Sequence, residues 1–160
     1  MSTKEKNVTT PFTWEDALVC AKDALKDALK VHEGDTIHRR TIRSLLVLTK
    51  WKAICCRKNS NLIASTPDPD KKLFQFALLD EEEGIVYELK LNTANPMVFI
   101  DKLIRKLIIY NTLGYDKISN VYIFAHSKVI TAYSRPLMKH CFDVIKEKFG
   151  ATIILISLDE

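Results

Sequence analysis

Apolar positions along the chain repeat with two different spacings, which divide it into helices and strands. A spacing of three to four residues predicts helices over about 14–31, 36–50, 96–113 and 136–149. Alternating or continuous short apolar segments predict strands over 62–65, 73–80, 85–92, 120–125 and 151–158. The predicted order is α-α-β-β-β-α-β-α-β, an α/β fold with a mixed β-sheet flanked by helices. We expect one domain over 13–160 after a flexible tail at 1–12.

Local signals mark the ends of several predicted helices. Thr13 and Asp16 have the spacing of a capping box, Asn95 is a plausible N-cap for the third helix, and Ser134 is expected to cap the last. The segment 51–57 fits either the end of the second helix or a short strand. The positions predicted to point inward from the second helix are Ile42, Leu45, Leu46 and Thr49.

The strands 73–80 and 85–92 are predicted to form a hairpin around the acidic turn 81–84. Alternation places Val86, Glu88, Lys90 and Asn92 on one face of the second strand, with Ile85, Tyr87, Leu89 and Leu91 on the other. A carboxylate and an ammonium group are therefore neighbours on an otherwise apolar strand. The simplest alternative is an edge strand with one solvated face. If the turn is centred on Glu82 and Glu83, Gln75 lies opposite Lys90 and Ala77 opposite Glu88.

Composition fits a folded domain in a reducing compartment. The 160 residues are 47% hydrophobic with only four glycines and five prolines, which excludes disordered and fibrous classes. Neither a membrane-spanning run nor a secretory signal is expected. The four cysteines show no Cys-x-x-Cys pair, so a reduced, cytoplasmic chain without zinc is predicted.

Positive charge is unevenly placed, although the net charge is only +4. Between Thr36 and Pro67 no acidic residue occurs, and such a block is typical of a surface that binds polyanions. A solvated helix face followed by a basic loop is the alternative interpretation. The seven basic residues of the block are Arg39, Arg40, Arg43, Lys50, Lys52, Arg57 and Lys58.

The order of elements, with an acid before the first hairpin strand and Glu88-Leu89-Lys90 on the second, resembles the PD-(D/E)xK, or restriction-endonuclease-like, nuclease superfamily. Pro69-Asp70 is the match to the first half of its motif, and Pro67-Asp68 is a second possible match. The family core is an α-β-β-β-α-β unit, which would span about 36–125 here.

This resemblance implies a Mg²⁺-dependent DNA endonuclease, in which Mn²⁺ may substitute for Mg²⁺. Asp70, Glu88 and the carbonyl group of Leu89 would bind the metal, and Lys90 would act on the attacking water. Residues expected to contact DNA phosphates are Arg39, Arg40, Arg43, Lys102 and Lys106. Because cutting both strands needs two sites, a homodimer or a subunit of a larger complex is expected.

Two alternatives stay open. Asp70, Asp68 or Gln75 could occupy the first metal-ligand position, and with Gln75 there the chain would be a catalytically silent DNA-binding or scaffold subunit. The chain could also be an unrelated interaction protein in which Glu88 and Lys90 form a surface ion pair.

Overall fold

The structure is a computed structural model that describes residues 11–31, 37–66, 75–91, 95–112 and 117–159. Side chains are described in these ranges outside 28–31, 37–42 and 111–112. Asp68 and Asp70 lie outside the described residues, as do the side chains of Arg39 and Arg40. The predictions made for these four residues therefore stay predictions.

The described ranges contain five helices and five strands. The helices are α1 (Trp14–Val31), α2 (Ile37–Lys58), α3 (Pro96–Thr112), α4 (Ser127–Tyr133) and α5 (Pro136–Phe149). The strands are β1 (Leu62–Ala64), β2 (Leu78–Asp80), β3 (Ile85–Lys90), β4 (Asn120–Ala125) and β5 (Thr152–Ser157). None of these helices combines the length and apolar character needed to cross a bilayer.

The strands form one mixed sheet in the order β1-β2-β3-β4-β5. β1, β2 and β3 pair antiparallel, and β3, β4 and β5 pair parallel. The hairpin register pairs Leu78 with Tyr87, which is the register expected for a turn centred on Glu82 and Glu83. Because β3 is the central strand, the alternative of an edge strand with one solvated face is wrong.

Helices cover both faces of the sheet and form two cores. On one side, α1 and α2 enclose a core that includes Tyr87 and Leu89 of β3. On the other, α3, α4 and α5 enclose a core that includes Val86. The predicted alternation is confirmed over 85–91, whereas Asn92 lies outside the described residues. Glu88 and Lys90 consequently point toward the α3–α5 side.

The predicted inward face of α2 is wrong: Leu45, Leu46 and Thr49 are exposed, and the side chain of Ile42 lies outside the described residues. Leu45 and Leu46 are 59% and 47% exposed, whereas Val47, Trp51 and Cys55 are fully buried. The reason is that 51–57 continues the helix, so the buried stripe follows the spacing of four from Val47 to Cys55. The stripe packs on α1, where the Trp51 indole N–H donates to the Ala17 carbonyl oxygen at 3.0 Å.

The short helix α4 is absent from the predicted order α-α-β-β-β-α-β-α-β. Its seven residues bury only Val129 and Tyr133, too few to produce a recognisable helical period. Ser134 is the C-cap of α4, so its predicted role as N-cap of the next helix is wrong; Arg135 holds that position. The predicted N-terminal caps of α1 and α3 are confirmed: the Asp16 carboxylate accepts from the Thr13 N–H at 2.8 Å, and the Asn95 side chain accepts from the Met97 N–H at 3.0 Å.

Candidate active site

Glu88 is a buried carboxylate near the carboxyl end of the central strand. Its side chain is 8% exposed, and Oε1 accepts a hydrogen bond from the Ala77 N–H at 3.2 Å. Continuing the hairpin register by one step places Ala77 opposite Glu88, just before β2 begins at Leu78. The carboxylate therefore satisfies a backbone donor that has left the ladder, and this bond fixes its position.

Lys90 follows Glu88 on the same face of β3. Its Nζ lies 4.6 Å from the centroid of the Phe99 ring, within the range of a cation–π contact. Burial lowers the pKa of Lys90, the charge of Glu88 opposes that shift, and the nearby charges of Lys102 and Lys106 add to it. Because Glu88 is buried, the hypothesis of a surface ion pair between Glu88 and Lys90 is wrong.

Lys52 of α2 is a second lysine whose charge acts on Glu88. Its Nζ donates to the carbonyl oxygen and the hydroxyl of Ser65, at 3.1 and 3.0 Å. Burial lowers the pKa of Lys52, and the Glu88 carboxylate opposes the shift. Sequence reasoning counted Lys52 only as part of the basic block, since no local signal shows that α2 directs it toward the hairpin.

Tyr133 of α4 brings an unpaired hydroxyl to the same region. Its side chain is 1% exposed, and its hydroxyl has no hydrogen-bond partner in the described part of the chain. Burial and the charge of Glu88 raise the pKa of Tyr133 to about 12. The sequence indicated a packing role, which the ring fulfils by stacking on Phe142. Nothing in the sequence indicated that the Tyr133 hydroxyl would be buried without a partner among the described residues.

The Leu89 carbonyl group points to the place where β2 leaves the sheet. The Gly84 carbonyl accepts from Ser119 beside β4, so even-numbered residues of β3 direct their backbone groups toward β4. Leu89, as an odd-numbered residue, directs its carbonyl toward β2. The ladder between β2 and β3 ends at Leu78 and Tyr87, so this carbonyl lies past the last pair.

The position of the first acid is the part of the predicted site that the described residues leave open. Gln75 lies opposite Lys90 when the register is continued, and its Oε1 accepts from the Thr66 N–H at 2.8 Å. A second buried carboxylate, Asp80, lies at the turn end of the hairpin and accepts from the Glu83 N–H at 3.1 Å. Within the described ranges, no cluster of three His, Cys, Asp or Glu side chains could hold a metal.

Two of the predicted phosphate-binding residues lie beside this site. Lys102 and Lys106 are one turn apart on α3, and both influence Lys90 electrostatically. Lys106 also lies 5.8 Å from the centroid of the Phe76 ring.

Arg43, another predicted phosphate-binding residue, is half-buried on α2. Lys50, from the same basic block, forms a salt bridge with Asp27 of α1.

His126 follows β4 at the same edge of the sheet, because Lys90 pairs with Ala125. Its Nδ1 lies 2.7 Å from Oδ1 of Asp159, whose Oδ2 accepts from the Ser127 N–H at 2.6 Å. The hydrogen bonds from Ser127 and His126 lower the pKa of Asp159. This pair connects the end of β5 to the start of α4.

The donor atoms that this region offers agree in kind with a magnesium site. Mg²⁺ prefers oxygen ligands, and the Glu88 carboxylate and the Leu89 carbonyl are both of that type. Comparison of the chain with protein-family models, curated proteins and solved structures gave no match. The functional assignment therefore depends on this geometry and on the resemblance of the sequence motif.

Proposed function

We propose that the protein is a Mg²⁺-dependent DNA endonuclease of the restriction-endonuclease-like fold. The observation that carries the proposal is a buried, hydrogen-bonded Glu88 on the central strand, with Lys90 two residues later on the same face. The order α2-β1-β2-β3-α3-β4 corresponds to the α-β-β-β-α-β core that the resemblance implies.

The roles proposed for Glu88, Leu89 and Lys90 draw on their surroundings, and the role proposed for Asp70 draws on the resemblance alone. Glu88 and the Leu89 carbonyl would hold Mg²⁺ together with Asp70. A bound Mg²⁺ supplies an acidified water and neutralises charge on the phosphate. Lys90, whose pKa is lowered by burial, is suited to exchange a proton with the attacking water or to stabilise the developing charge. The lysines of α3 would bind the phosphates that flank the scissile bond.

The test combines a binding and a cleavage measurement on the same samples. Mg²⁺ or Mn²⁺ is titrated calorimetrically into the wild type and a Glu88→Gln variant, and nicking of supercoiled plasmid is measured in parallel. Glu147→Gln, at an exposed position of α5, is the matched control. We expect Glu88→Gln to lose metal binding and nicking while the control keeps both. Absence of metal binding in the wild type would contradict the proposal.

A catalytically silent DNA-binding or scaffold subunit is the second candidate function. Gln75 favours it, because the amide lies opposite Lys90 where a relative would place its first acid. An amide is a weaker Mg²⁺ ligand than a carboxylate. In this case DNA binding would not respond to Mg²⁺ or to Glu88→Gln, and a Gln75→Asp variant would gain metal binding. An Asp70→Asn variant that loses metal binding would instead assign the first position to Asp70.

A further inference from the structure

β5 forms an edge of the sheet, and the described part of the chain gives this edge none of the usual protection against strand pairing. Its six residues, Thr152–Ser157, contain no charge and no proline, and all six are partly exposed. The strand lies last in the sheet order, and in the described part of the chain no strand pairs with its outer side. The opposite edge strand, β1, has only three residues. Natural proteins usually shorten, charge or cover such edges.

The hydrogen bonds to β4 show which backbone groups of β5 point outward. Thr152 and Leu158 donate to the carbonyl groups of Ser119 and Ala125, so the even-numbered residues of β5 face β4. In a strand, the N–H and C=O of one residue point to the same side, and successive residues alternate. The residues that direct both groups outward are therefore Ile153, Leu155 and Ser157.

We infer that β5 pairs antiparallel with β5 of a second copy of this chain, centred on Leu155. This register aligns outward groups with outward groups: Leu155 opposes the same residue of the other copy, and Ile153 opposes Ser157 in both directions. Three residue pairs would make about six hydrogen bonds. No charged residue meets another within the paired strands. Pairing about a two-fold axis leaves neither copy of β5 with a free edge, so the assembly stops at a dimer.

A strand pair alone buries less than the ~1,200 Å² that a stable interface needs, so neighbouring elements must contribute. α5 packs against β5, and in a symmetric pair the two α5 helices lie on the same face of the joined sheet. Leu137 and Val144, seven residues apart on one stripe of α5, are 62% and 37% exposed. As exposed apolar residues of the helix that packs on β5, they are the side chains we expect to extend the contact beside the strands. The inference does not depend on the nuclease proposal.

The two-fold axis through Leu155 gives a specific test by charge complementation. Leu155→Lys and Leu155→Glu each place like charges directly opposite each other, so each variant alone should be a monomer. Mixed in equal amounts, the two should restore a heterodimer. Mass is measured by light scattering after gel filtration, where wild type should give twice the 18.3 kDa of one chain. The control Ile63→Lys, on the other edge strand, should remain dimeric.

A monomeric wild type would overturn the inference, and so would a mixture of folded variants that stays monomeric. If the variants do not fold, hydrogen exchange on wild-type protein tests the same point. In the dimer the outward amides of Ile153, Leu155 and Ser157 should be protected, and the protection should fall on dilution. The inward amides of Ile154 and Ile156 should stay protected throughout. Fast exchange of the outward amides at all concentrations would equally overturn it.

Discussion

The charged form of the Lys90 side chain is destabilised by burial and by two nearby lysines. One nearby carboxylate stabilises it. Lys102 and Lys106 on α3 approach from one direction, and Glu88 lies two residues earlier on the same strand. The Phe99 ring face supplies a weak compensating attraction. A lysine in these surroundings gives up its proton more readily than an exposed one, which is what proton transfer near neutral pH requires.

The first prediction concerns Lys90 in catalysis. Lys90→Met keeps an unbranched side chain against Phe99 but removes the ammonium group. We expect plasmid nicking to fall by about 10²–10⁴-fold, since that is the usual contribution of a positioned proton-transfer group. Metal binding and DNA affinity should change little, because Glu88 and the α3 lysines remain. Single-turnover cleavage measures the loss, and Lys139→Met, at an exposed position of α5, serves as the control.

The second prediction concerns the effect of pH on stability. The pKa of Lys90 is lower in the folded protein than in the unfolded chain, so the unfolded state binds more protons between the two values. Wild-type stability should therefore rise with pH from the lowered pKa of folded Lys90 up to the ordinary value of about 10.4. Urea unfolding should show that the free energy of unfolding of wild type rises with pH relative to that of Lys90→Met across that window. A difference between the two free energies that stays constant with pH would contradict the lowered pKa.

At the scale of the elements, predictions were correct where the local sequence signal was strong and wrong where it was weak. The capping residues of α1 and the alternation along β3 are encoded within a few residues, and both were predicted correctly. The buried face of α2 was not, because the helix has apolar residues on two sides and only packing on α1 selects Val47 and Trp51 over Leu46. Helix α4 was missed because two buried residues define no period.

The part of the candidate site that lies on one strand was predictable from the sequence. Glu88 and Lys90 are two residues apart, so one strand determines their common face. Lys52 and Tyr133 reach the site from α2 and α4, which are distant in sequence, and only the tertiary fold brings them near Glu88.

The third prediction tests the α1–α2 contact. Trp51→Phe removes the indole donor to the Ala17 carbonyl and leaves space beside Phe124, whose ring meets Trp51 edge-on at 6.1 Å. We expect the free energy of unfolding to fall by about 1–3 kcal/mol. Leu45→Ala, on the exposed side of the same helix, should change it by less than about 0.5 kcal/mol. Urea unfolding followed by circular dichroism measures both. Equal losses would mean that α2 packs through a different face.

At the scale of the whole molecule, the modest net charge of +4 conceals a local concentration of lysines around one carboxylate. Three acidic residues, Glu81, Glu82 and Glu83, lie in the exposed turn at the far end of the hairpin. Lys90, Lys102 and Lys106 lie toward the other end of β3. A polyanion approaching the molecule would be oriented toward the candidate active site rather than toward the hairpin turn.

The fourth prediction follows from that orientation. Each lysine that neutralises a phosphate releases about one counterion, so the logarithm of DNA affinity should fall linearly with the logarithm of salt concentration. Lys102→Ala and Lys106→Ala should each weaken binding and reduce that slope by about one, and the double variant by about two. Lys146→Ala, in the last turn of α5, changes the net charge equally. This turn precedes the start of β5, at the end of the sheet opposite Lys90, so the slope should match wild type. Fluorescence anisotropy on duplexes of unrelated sequence measures the slopes. If all three single variants reduce the slope equally, DNA binding depends on net charge alone and the lysines of α3 do not form the binding surface.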